Sequence, residues 1–172
     1  MNNNIIYRRA NLTDVLKLSI LFKQVYIHTY AEEGVSDEFA NFLVKHFSPE
    51  RLQRTIAQNP DQIIVAANNE NLVGVAEIEF DKICPSNNQT APELSKLYVL
   101  ERFCGQGIGY KLLAEVENIV KSNGYLELWL WVLISNQRAI SFYERQNYKW
   151  IGNALYHMEQ NTYENKIMWK QL

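Results

Sequence analysis

Apolar positions along the chain change period several times, and each change marks an element. Ile5 to Arg9 reads as a short strand. Asn11-Leu12-Thr13-Asp14 then offers capping side chains ahead of Val15, Leu16, Leu18, Leu21, Phe22, Val25 and Tyr26, which recur at the spacing of an amphipathic helix. Tyr30-Ala31-Glu32-Glu33-Gly34 breaks that pattern. Ser36-Asp37-Glu38 restarts it, and Pro49 suits the first turn of a further helix from Ser48 to about Gln58. From Gln62 to Ala67 and from Leu72 to Phe80, Ile, Val and Phe dominate on either side of Asn68-Asn69-Glu70-Asn71, a hairpin signature. Ile83 to Pro92, with two prolines and a Ser-Asn-Asn-Gln run, predicts a loop.

The order then alternates. Strands are predicted over Glu93 to Leu100 and Tyr125 to Leu133, and helices over Gly107 to Asn123, closed by Gly124, and over Gln137 to Asn147. A helix joining two short apolar strands predicts a βαβ-like unit with at least one parallel pair. Trp150 to Leu155 and Tyr163 to Trp169 read as a closing antiparallel hairpin around Glu159-Gln160-Asn161. No internal repeat and no long linker interrupts the pattern, so the expectation is one mixed α/β domain over residues 1–172.

Composition narrows the chemistry. With 172 residues, 47% apolar and 21% charged, the chain can bury a core without a disulfide or metal staple. A net charge of -2 argues against non-specific nucleic-acid binding. Cys84 and Cys104 form no CxxC pair, and His28, His46 and His157 lack zinc-ligand spacing, so no metal is expected and a reducing cytoplasmic setting fits. The Met-Asn-Asn-Asn start has no export signature, and no run of about 18 apolar residues predicts a membrane span.

The most informative stretch runs from Glu93 through Leu97-Tyr98-Val99 to Cys104-Gly105-Gln106-Gly107-Ile108-Gly109-Tyr110, a strand, a glycine turn and the start of a helix. Backbone N–H groups at a helix N-terminus attract anions, and glycine lets a phosphate approach the main chain. A dinucleotide fingerprint would need Gly or Ala at 110 or 112, where Tyr110 and Leu112 stand, and a Walker A loop would need Gly-Lys-Ser/Thr; neither is present. The residues alone leave two readings, a tight turn or a phosphate cradle.

Leu97-Tyr98-Val99 followed by Cys104-Gly105-Gln106-Gly107-Ile108-Gly109 resembles motif A of the GNAT superfamily of acetyl-CoA-dependent N-acetyltransferases. Downstream, Asn136-Gln-Arg-Ala139-Ile-Ser-Phe142-Tyr143-Glu-Arg-Gln-Asn147-Tyr148 resembles its motif B, N-x-x-A-x-x-F-Y-x-x-x-G-F. The motifs stand in the family's order, and the resemblance extends over almost the whole chain. It implies a mostly antiparallel sheet of about seven strands with a central parallel pair, flanked by helices. The pattern is departed from in two places: Cys104 stands where motif A usually has Arg or Gln, and Asn147-Tyr148 replaces Gly-Phe. Asn enters left-handed backbone conformations more readily than most non-glycine residues, so the second departure is tolerable.

The resemblance implies direct attack of a primary amine on the acetyl-CoA thioester, with no metal and no covalent intermediate. Cofactor binding then falls to Leu97, Tyr98, Val99, Cys104 to Tyr110, Asn136 and Tyr143. Tyr143 is the expected acid for the departing thiolate, although a Tyr following a Phe in an amphipathic helix is otherwise a packing residue. Glu93 is the first candidate for the base, with Glu77, Glu79 or water in reserve; alternation puts Glu93, Ser95, Leu97 and Val99 on one strand face. Asn136 is a pantetheine ligand, a helix N-cap or both. Tyr30 and Glu77 are expected at the acceptor, alongside Tyr26 and His28, and Glu32, Glu33, Asp37 and Glu38 offer negative charge to a polycation.

The expected acceptor is a small-molecule amine such as a polyamine. Acetylation of a protein or peptide amine, N-terminal or lysine, is the alternative, and a non-catalytic acetyl-CoA sensor is the reading from another class. Tyr at 143 argues against the sensor. Neither nucleic acid nor membrane is an expected partner, and the sequence leaves room for a homodimer.

Overall fold

The computed structural model describes residues 4–31 and 33–172. Its strands are β1 (Ile5–Arg9), β2 (Ile63–Asn68), β3 (Asn71–Ile83), β4 (Thr90–Val99), β5 (Glu127–Leu133), β6 (Lys149–His157) and β7 (Thr162–Gln171). Its α-helices are α1 (Val15–Tyr30), α2 (Asp37–His46), α3 (Pro49–Gln58), α4 (Ile108–Ser122) and α5 (Gln137–Arg145). The strands form one seven-stranded sheet in the order β1-β2-β3-β4-β5-β7-β6. The expected parallel pair is β4 with β5, with Glu93 opposite Trp129, and the β1–β2, β2–β3, β5–β7 and β6–β7 pairings are antiparallel.

The helix starts follow from the side chains that cap them. Asn11 accepts from the Thr13 N–H at 2.9 Å while Asp14 returns to the Asn11 N–H at 3.0 Å, a reciprocal cap. Ser36, Ser48 and Asn136 accept from the N–H groups of Phe39, Arg51 and Ala139 and so open α2, α3 and α5. Asn147 ends α5 with φ +66, the left-handed geometry that its position demands.

The largest boundary difference from the sequence lies between β3 and β4. Residues 83–92 are not all loop, because β4 begins at Thr90 and carries Pro92 within it, while β3 runs on to Ile83. The turn between them is closed by Cys84 N–H to Gln89 O at 2.8 Å and Asn88 N–H to Cys84 O at 2.9 Å. Polar residues and prolines hid a tight strand connection.

The chain divides into two compact units, Met1–Glu77 with Lys96–Val116, and Ile78–Ser95 with Glu117–Leu172. The first is built on Leu18, Phe22, Phe47, Leu52, Ile63, Val65 and Val75, with the rings of Phe22 and Phe47 stacked at 5.1 Å. A Cβ on Gly74 would stand 3.0 Å from Leu112 Cδ1 and 3.1 Å from Tyr98 O, so glycine there lets α4 lie close on the strands of this unit. The second unit packs Cys84, Ala91, Trp129 and Ile167 together, and the Trp129 indole N–H donates to Ala91 O at 3.1 Å. Among the described residues no helix is long and apolar enough to cross a membrane.

Candidate active site

In the first unit, β4 ends at Val99 and a single 3-10 turn, Glu101–Phe103, leads into the glycine loop. Gly105 and Gly107 have φ +77 and +79, and a Cβ on either would meet nothing within 4 Å. The backbone there favours glycine, and the space in front of it is open. Lys111 N–H makes the bond that starts α4, to Gly107 O at 3.1 Å, and helix geometry leaves the earlier N–H groups of that turn without intrahelical partners. Such a turn is an anion cradle whose donors and dipole both favour phosphate. The Cys104 thiol turns back on the strand end, 3.7 Å from Val99 O and Leu100 O, and Gln106 Nε2 donates to Arg102 O at 3.1 Å. Ile108 is buried and Tyr110 exposed, so within the loop's helix the two differ: Ile108 packs, and Tyr110 faces solvent.

The same unit gathers the aromatic residues expected at the acceptor. Tyr30 and Tyr98 are hydrogen-bonded to each other, and burial pushes both phenols up, Tyr98 further through its neighbours Tyr30 and Tyr26. Tyr26 packs on Tyr30 at 4.6 Å and on Phe42 at 4.9 Å. His28 lies 3.8 Å from Glu101 on an exposed face. Glu77 is only 1% exposed and is paired with Arg51 and, at 2.8 Å, with Lys96. Burial would raise its carboxyl, but Lys96 and Arg51 outweigh that and hold it below the usual carboxylate range. Each of its oxygens thus faces a cation. Of the acidic cluster, Glu33 and Asp37 are exposed and Glu38 is buried, while Glu32 lies outside the described residues.

The second unit holds the remaining candidates. Glu93 is 8% exposed and sits on the parallel β4–β5 pair. Around it lie groups that periodicity did not reveal. Burial raises the Tyr156 phenol and the charges of Glu93 and Glu79 raise it further, so Tyr156 stays a hydrogen-bond donor. Lys82 is bonded to Glu79 at 3.1 Å, and Trp131 meets the Tyr156 ring edge-on at 6.2 Å. Tyr156 lies one residue beyond the strand predicted over Trp150 to Leu155, and continuing the alternation by one residue includes it.

Tyr143 is 8% exposed, with its ring 5.2 Å from Phe142 and 5.6 Å from Tyr148. Tyr148 hydroxyl donates to Glu117 at 3.1 Å, and Glu117 in turn accepts from Lys170 at 2.7 Å, which anchors the ring that packs against Tyr143. Burial and the Glu117 charge push the Tyr148 phenol far up, leaving it unsuited to proton transfer. Asn136 Oδ1 is used as the cap of α5 at 3.1 Å, and the cap makes no use of its Nδ2.

Comparison with known proteins agrees with these features. The profile described as "Acetyltransferase (GNAT) family" matches residues 28–148. A spermidine N(1)-acetyltransferase of Thermoplasma acidophilum is 26% identical over 146 residues, 83% of this chain and 86% of the relative. An uncharacterised N-acetyltransferase of Mycobacterium tuberculosis is 24% identical over 161 residues, 94% of this chain and 99% of the relative. The crystal structure of the PaiA N-acetyltransferase of Thermoplasma acidophilum in complex with coenzyme A superposes with a TM-score of 0.76 at 24% identity, covering 98% of this chain and 99% of that one. The chain therefore belongs to the GNAT acetyltransferase family and is an acyltransferase of the N-acetyltransferase type.

Proposed function

We propose that the protein transfers the acetyl group of acetyl-CoA to a small-molecule primary amine by direct attack. The observation that carries the cofactor is the pair of positive-φ glycines, Gly105 and Gly107, opening onto empty space at the start of α4. Leu97 to Val99, Cys104 to Tyr110 and Asn136 are the residues assigned to hold it. The cofactor supplies an activated thioester. Tyr143 donates its phenolic proton to the leaving sulfur, which otherwise departs as a thiolate. Glu93 takes the proton that an ammonium must lose before it can attack.

Support for a polyamine as the acceptor comes from the name of the Thermoplasma relative and from the exposed Glu33 and Asp37. Against it stand the burial of Glu38 and the engagement of Glu77 by two cations. A reducing cytoplasmic setting remains our reading of the two cysteines and their spacing.

The test is a melting curve with and without acetyl-CoA. A ligand that binds only the native state at a hundredfold excess over Kd stabilises by about 2.7 kcal/mol, a shift of several degrees for a chain of this size. Gly107→Val should melt below the wild type, because a β-branched residue resists positive φ, and should also lose the acetyl-CoA shift, because its side chain fills phosphate space. A wild-type protein indifferent to millimolar acetyl-CoA contradicts the cofactor assignment.

A further inference from the structure

Trp131 and Tyr156 have no part in the transfer chemistry, yet both stand on the strand face that carries Glu93. Glu93 is paired with Trp129 across β4 and β5, and alternation along β5 puts Trp131 on the same face as Trp129. The edge strand β6 returns to this group. A Cβ added to its Gly152 would stand 2.6 Å from Ser86 Oγ in the turn between β3 and β4, and Ala154 packs with Ala91, Trp129 and Trp131. Tyr156, two residues on from Ala154, therefore shares that face. It faces Glu93 and Glu79, whose charges raise its phenol, while Lys82 acts weakly the other way. The field at its hydroxyl is negative.

The two rings also have a definite geometry. Their centroids lie 6.2 Å apart with an angle of 76° between planes, so they form two walls near a right angle. Trp131 meets Trp129 at 6.2 Å as well, and the buried Trp129 indole is tied to Ala91 O at 3.1 Å, which presets the wall. Neither ring is sealed off: Tyr156 is 38% exposed and Trp131 is half-buried. The face of an aromatic ring attracts an ammonium ion without being able to take its proton. Beside a base, such walls hold the cation and leave its N–H groups to the carboxylate.

We infer that the rings of Trp131 and Tyr156 seat the acceptor as its ammonium ion beside Glu93, and so select amines with no anionic group next to the reacting nitrogen. This rests on the transferase reading with Glu93 as the base, and it adds the residues that determine specificity. The ammonium enters between the rings, one N–H proton passes to the Glu93 carboxylate, and the freed lone pair becomes the nucleophile. An α-carboxylate on the acceptor would be brought up against Glu93 and Glu79 and repelled. The rings bind the charged form that precedes attack, so their contribution belongs in KM and not in kcat.

The test reads binding apart from turnover. The whole protein saturated with CoA, which has no acetyl group to give, is titrated at pH 7 with butylammonium and with its neutral counterpart 1-butanol. Butylammonium should bind about tenfold more tightly. Trp131→Leu and Tyr156→Leu should each shrink that gap by about threefold or more, and Tyr156→Phe, which keeps the ring, should restore most of it. If Trp131→Leu fails to fold, the two Tyr156 variants decide. With acetyl-CoA, both Leu variants should raise the KM for pentylamine by about threefold to thirtyfold with kcat within about threefold. Wild-type kcat/KM should be about tenfold or more higher for pentylamine than for norleucine, which differs by an α-carboxylate. Equal binding of butanol and butylammonium overturns the inference, as does norleucine used as well as pentylamine. Packing rings would lower the melting temperature of the Leu variants and leave the gap unchanged, which overturns it too, with the transferase reading left standing. Ring-dependent ammonium binding with no turnover of any amine overturns the transferase reading instead, and with it the role of the seat at an acceptor.

Discussion

Tyr143→Phe is expected to fold, bind acetyl-CoA with near-normal affinity and lose about 10²–10⁴-fold in kcat. The ring makes the packing contacts, 5.2 Å to Phe142 and 5.6 Å to Tyr148, and Phe keeps both. What the variant loses is the hydroxyl, the group assigned to protonate the departing sulfur. Tyr148 cannot substitute, because its hydroxyl is committed to Glu117 and its phenol is held protonated by burial and that charge. Stopped-flow release of free thiol, together with a CoA titration, separates the two effects. Retention of more than about half of wild-type kcat with a good acceptor would make Tyr143 a packing residue, since general acid catalysis contributes well above that margin.

Glu93→Gln is expected to cost about 10²–10⁴-fold in kcat/KM near neutral pH, with a distinctive recovery at high pH. An alkylamine of pKa about 10.4 is neutral in only about one molecule in 2,500 at pH 7, so without a base only that fraction reacts. As pH rises toward 10 the neutral fraction grows and the variant should approach the wild type. A pH-independent deficit would assign Glu93 a structural part on the β4–β5 pair, and no deficit would pass the base to water. Glutamine keeps the volume of a side chain that is 8% exposed, which limits the structural cost.

The parts of this account legible in sequence were those in which neighbouring residues decide the outcome. Asn11, Ser36, Ser48 and Asn136 announce helices because a capping side chain reaches only two or three residues forward. Gly105 and Gly107 announce a turn because no other residue takes positive φ as freely. Asn147 does so more quietly, and its φ of +66 shows why Asn could stand where the motif has Gly. What local pattern hid was long-range pairing. Arg51 reaches Glu77 from 26 residues upstream, so a strand glutamate with the look of an acceptor ligand is a neutralised member of an ion cluster. Thr90 to Pro92 looked like loop because proline lacks a ladder donor, yet it lies within β4. The environment of Glu93 comes from β3 and β6, which no window along β4 contains.

Direct transfer of an acetyl group from acetyl-CoA to an amine can be followed by single-turnover mass spectrometry. Enzyme mixed with acetyl-labelled acetyl-CoA and then with lysine or a panel of primary amines is quenched at intervals, and label is followed in protein and in small molecules. The account predicts that label passes to the amine in step with the release of free CoA thiol, and that no labelled protein forms before it, Cys104 included. Label accumulating on the protein and then draining into the amine, or CoA released with acetate as the only labelled product, would contradict it.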